Sequence, residues 1–133
     1  MFYIKLYLST LLCFLAVDLL WLGVIARGFY QEQLEFLLRS SPNWPVAILF
    51  YMIYITGILV FVVSPALQAE SWRKALLLGA FFGFVTYATY DLTNHATVNG
   101  WPWIVSVVDL CWGTILCSTV ATCGYFVGKW LSV

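Results

Sequence analysis

An all-α, polytopic transmembrane four-helix bundle with a short interfacial helix after the first span is the fold class that this sequence predicts. Three observations carry that expectation. Of 133 residues, 63% are hydrophobic and 9% charged, where a soluble domain has about 25% charged. Four apolar stretches can be laid along the chain, each near the roughly 20 residues that a helix needs to cross a bilayer. The connections between them are too short for a soluble domain, so residues 1–133 are expected to form a single membrane domain.

The first span is expected over residues 4–26, opening with Lys5 and closing at Arg27. A cleavable signal peptide is the rival reading, with Val24 and Ala26 mimicking a cleavage site. The apolar run is too long for one, and Asp18 interrupts it. In the following segment, 28–41, Tyr30, Leu34, Leu37 and Leu38 recur at the spacing of one helical face. A short amphipathic helix lying along the membrane surface is expected there.

The second span, 44–63, starts after the breaker Ser-Pro-Asn-Trp-Pro, holds no charged residue and is expected to end at Ser64 and Pro65. The third and fourth, 74–95 and 101–130, each carry a Gly-x-x-x-Gly pair, Gly79 with Gly83 and Gly124 with Gly128. Small residues four apart let helix backbones approach closely in lipid. Tyr3, Trp44, Trp72, Trp101, Trp103 and Trp130 fall near the expected boundaries, where amphipathic rings are best accommodated. Lys5, Arg73, Lys74 and Lys129 on one side against Arg27 and Arg39 on the other put both termini in the cytoplasm.

The six basic residues are scattered and the net charge is zero, which excludes a nucleic-acid partner. Cys13, Cys111, Cys117 and Cys123 lie inside spans and read as small packing residues. The last three are spaced by six, about 240° of helical turn per step, and so point to different faces. Neither a metal nor a cofactor is expected.

Three aspartates interrupt the apolar spans. Helical rise puts Asp18 and Asp109 about 12 Å, and Asp91 about 9 Å, below the outer ends of their helices, all in the non-cytoplasmic half. Tyr87, Tyr90, Asp91 and Asn94 form one stripe at i, i+3, i+4 and i+7, and His95 follows Asp91 by four, close enough for a carboxylate–imidazole contact. Thr86, Thr89, Thr93 and Thr97 make a second polar stripe. Asp18 and Asp109 are each followed three residues later by a tryptophan, Trp21 and Trp112. An ionised carboxylate at membrane depth costs at least about 2.5 kcal/mol, and no lysine or arginine lies at matching depth. At least one aspartate is therefore expected to hold a proton.

The runs DLLWLGVIARGFY at 18–30, TYATYDLTNHATVNGWPW at 86–103 and VDLCWG at 108–113 resemble those of a bacterial family of small four-span membrane proteins, a domain of unknown function. The resemblance covers nearly the whole chain and is most specific at Tyr90–Asn94. It implies a multi-pass protein of the bacterial inner membrane and lends no catalytic residue.

Three functions compete. The first is binding or transport of a small amphiphilic or cationic ligand in an outer-half cavity, with Asp18, Asp91 and Asp109 as charge and proton-exchange groups, Tyr87, Tyr90, Asn94 and His95 alongside, and Trp21 and Trp112 as an aromatic wall. A thin bundle of this size would transport as a homodimer. The second is an intramembrane acid–base enzyme acting on a lipid or isoprenoid, and no nucleophile or phosphate-loop motif accompanies it. The third is an accessory subunit whose polar stripe meets a partner's helix.

Overall fold

A computed structural model describes residues 1–38 and 43–132. Four helices are long and apolar enough to cross a membrane: α1, Phe2–Ile25; α3, Trp44–Gln68; α4, Trp72–Thr97; and α5, Trp103–Leu131. The short helix α2, Arg27–Leu34, follows the first span. At about 1.5 Å per residue each long helix exceeds the ~30 Å hydrocarbon thickness. No strand occurs among the described residues. The chain is a membrane protein, and large apolar side chains, Leu12, Ile53, Phe61, Phe81 and Ile115 among them, are exposed on its perimeter.

Two of the helix starts, those of α3 and α4, are capped by side chains. The Asn43 side chain accepts from Val46 N at 3.4 Å, and the Ser71 hydroxyl from Lys74 N at 3.2 Å. The α3–α4 turn takes Glu70 through positive φ, and Lys129 on α5 pairs with Glu70 at 3.1 Å, holding the end of the bundle that carries both termini. The opposite, distal end holds α2 and the α4–α5 turn, where Gly100 has φ 75°.

Two helices are locally widened. In α1 the last turns, Trp21–Ile25, are π-helical, with Ala26 N–H reaching back five residues to the Trp21 carbonyl. In α3 the stretch Leu59–Val63 is π-helical and leads directly into Pro65. Pro65 was expected to end this span. Instead the helix runs on to Gln68, because the widened turn absorbs the hydrogen bond and ring clearance that a proline denies a regular helix.

Helix α5 is central. Gly113, Leu116, Cys117, Val120, Ala121, Gly124 and Gly128 are all buried along it. The approach of α4 is close enough that a Cβ on Gly79 would stand 2.7 Å from the Cys117 carbonyl oxygen, and one on Gly83 would collide with the carbonyl of Gly113. The second glycine pair meets other helices, Gly124 facing Thr10 and Val63, and Gly128 facing Leu67. Below the distal end, Phe14, Tyr54, Ile55, Ile58, Leu116 and Val120 close the apolar core.

The segment after the first span is helical only over Arg27–Leu34, shorter than expected, and residues 39–41 of the expected stretch, with Arg39, lie outside the described residues. Nor does α2 simply rest on a surface. Leu34 packs on Trp101 and Val105, which turns the helix back over the distal end of the bundle.

Candidate functional site

The distal half of the bundle carries an open cavity of about 350 Å³, and its construction begins in α1. Asp18, 7% exposed, is one turn from the π-helical stretch that starts at Trp21. Such widened turns re-aim the side chains they carry. Here Trp21 lies flat on Trp112 of α5, ring centroids 4.3 Å apart and planes 9° from parallel. The Trp112 N–H stands beside the Asp18 carboxyl without completing a hydrogen bond.

The second acid comes from α5 and is held from α2. Trp21 donates its indole N–H to the Tyr30 hydroxyl at 3.1 Å, and Tyr30 donates in turn to Asp109 Oδ1. Burial, followed by the adjoining Asp109, pushes the Tyr30 phenol above its usual range. Asp18, Trp21, Tyr30, Tyr51, Tyr87, Asp109 and Trp112 therefore surround one space, and among the described residues none that lines it is basic. A cavity with two acids and aromatic faces is suited to a positively charged group.

Asp91 lies behind this wall. It is fully buried on α4, its carboxyl faces that of Asp109, and neither of its oxygens has a hydrogen-bond partner among the described residues. Its backbone carbonyl accepts from the Ser106 hydroxyl at 3.4 Å. Ser106 also accepts the Trp101 indole N–H at 3.1 Å.

A family model described as "Predicted membrane protein (DUF2177)" matches residues 3–126, which takes in every residue of the cavity. The chain belongs to this family. No curated protein and no solved structure matches it.

In this DUF2177 member, six of the nine residues nominated from sequence line the cavity: Asp18, Trp21, Tyr87, Tyr90, Asp109 and Trp112. Asp91 adjoins it from behind. Asn94 is half-buried beyond the cavity, and His95 is exposed, its Nδ1 3.5 Å from Ser106 and not on Asp91. A spacing of four makes the Asp91–His95 contact available, but Ser106 on the facing helix takes the histidine. The threonine stripe is satisfied within its own helix. Thr86, Thr89 and Thr97 donate to Phe82, Val85 and Thr93 carbonyls at 2.8–2.9 Å, and Thr93 bonds the carbonyls of Thr89 and Tyr90.

Four residues of this DUF2177 site escaped the sequence reading in their roles: Tyr30, Tyr51, Trp101 and Ser106. For Tyr30 a signal existed, the i, i+4 pairing with Leu34, which marks one inward face of α2. Among the described residues, no group of three or more His, Cys, Asp or Glu stands close enough to hold a metal ion.

Proposed function

We propose that the distal cavity binds a small amphiphilic or cationic ligand, with Asp18 and Asp109 supplying the countercharge and Trp21 and Trp112 an aromatic wall. The observation that carries this reading is two carboxyls and a stacked tryptophan pair around one space that no basic side chain lines among the described residues. Carboxylates in a water-poor site need a compensating cation or a proton, and a cationic ligand provides the first. On this reading Asp91, unpartnered beside Asp109, takes up or releases the proton displaced when the ligand arrives, which makes the protein an exchanger of ligand for protons.

The proposal includes placement. On this reading both termini are cytoplasmic and the cavity lies in the outer half of a bacterial inner membrane, which the excess of basic residues at the span ends nearest the termini supports. Transport by so thin a bundle requires a homodimer. The acid–base enzyme is the second reading, favoured by the Tyr30–Asp109 hydrogen bond, which positions a proton donor at the cavity wall.

Calorimetric titration of the purified protein with benzyltrimethylammonium tests the main reading. Saturable binding that weakens tenfold or more in Asp18→Asn and Asp109→Asn is expected. Absent binding, or binding indifferent to both substitutions, overturns it.

A further inference from the structure

Helices α3 and α4 touch where Gly57 meets the Phe82 ring and along Leu59–Val63, then part toward the distal end. Between them lies a groove of about 540 Å³ walled by Phe50, Tyr54, Thr86, Tyr87, Thr89 and Tyr90. Three of these, Phe50, Tyr87 and Tyr90, also line the aspartate cavity, so the two spaces adjoin. Phe50 and Tyr90, 51% and 56% exposed, stand at the bilayer-facing edge.

The groove offers a ligand almost nothing but hydrocarbon. The Tyr54 hydroxyl is engaged by Thr86 at 2.7 Å and Cys117 at 2.9 Å, and the Thr86 and Thr89 hydroxyls are bonded to carbonyls of their own helix. One end of the combined space is acidic and has no base among the described residues, and the other is apolar and open to lipid. We propose that this groove receives the alkyl tail of a single-chain cationic amphiphile whose head sits between Asp18 and Asp109, entering sideways from the bilayer. The inference rests on the cation-binding reading above and names its ligand class. Charge selects the occupant, because an ordinary phospholipid would bring its phosphate against two carboxyls and be repelled.

A tail leaving lipid for an apolar groove gains little hydrophobic free energy, since both surroundings are apolar. Chain length alone is therefore a poor test, and obstruction of the groove is a good one. Native mass spectrometry of the full chain, released from a non-ionic detergent, reads bound mass directly for dodecyltrimethylammonium and benzyltrimethylammonium, which share a head and differ in the tail. Thr89→Trp, which fills the groove from its exposed edge, is expected to lower occupancy by the dodecyl compound at least fivefold and leave the benzyl compound unchanged. Thr89→Val, which keeps the shape, leaves both unchanged. Asp18→Asn lowers both.

Equal dodecyl occupancy in wild type and Thr89→Trp overturns the groove assignment. So does a phospholipid adduct, or a dimer peak, that disappears in Thr89→Trp, because either identifies a different occupant. Indifference of both compounds to Asp18→Asn instead defeats the underlying cation-binding reading.

Discussion

The Tyr30 hydroxyl donates to Asp109 Oδ1, and through that hydrogen bond α2 closes over an acid carried by the central helix. The Tyr30 hydroxyl also accepts the Trp21 N–H at 3.1 Å, so one phenol joins α1, α2 and α5 at the mouth of the cavity. Four predictions follow from such relationships.

Tyr30→Phe keeps the ring and removes both hydrogen bonds. A loss of about 1–3 kcal/mol of stability is expected, as for a buried polar group left unsatisfied, together with faster amide exchange over 27–34. Unchanged exchange in that segment would show that α2 is held by Leu34 alone.

Stability should also fall at alkaline pH in a way that Tyr30→Phe reduces. Burial and Asp109 favour the neutral phenol, so its folded pKa lies above the unfolded value of about 10. The contribution is then complete below pH 10 and is lost as pH climbs past it, because the folded state binds more protons than the unfolded chain in that range. Unfolding free energies measured from pH 8 to pH 11 should converge for the two proteins as pH rises. A constant difference between them refutes the assignment.

Gly83→Ala and Gly113→Ala should each cost about 1–3 kcal/mol or more, by forcing overpacking. A methyl at 83 meets the Gly113 backbone, and one at 113 falls within the Tyr87 ring. Gly28→Ala, where nothing lies within 4 Å, should instead stabilise α2, by about 0.5–1 kcal/mol. Thermal midpoints of the three variants in one detergent decide this, and a similar shift in all three would contradict the packing.

Asp91→Val and Asp109→Val should behave oppositely. Asp91 has no hydrogen bond to lose among the described residues, so an apolar replacement is expected to leave stability equal or raised. Asp109→Val strands the Tyr30 hydroxyl and should cost about 1–3 kcal/mol. A large destabilisation by Asp91→Val would mean that its carboxyl holds the fold together, which would remove the reason to treat it as functional.

How far the sequence reached is clearest in particular residues. Asp18 and Asp109 were placed at one level because helical rise is constant, and both line the same cavity. Gly79 and Gly83 announced close packing, and their partners on α5 supply it. Pro65 misled, since a proline reads as a stop and only the preceding π-helical stretch reveals that the helix continues. His95 misled for a different reason. Spacing along one helix says which side chains can meet, whereas Ser106 on another helix determines which do.

Hydropathy and length alone established that this is a four-span helical membrane protein with acids inside its spans, because the bilayer admits so few backbone arrangements. That Tyr30 would reach Asp109, that Trp21 would stack on Trp112, and that Asp91 would lie behind them with no hydrogen-bond partner among the described residues was decided by tertiary structure. Each depends on the relative rotation of helices and on the fold-back of α2. Those degrees of freedom are set by packing between segments, and no single segment's periodicity contains them.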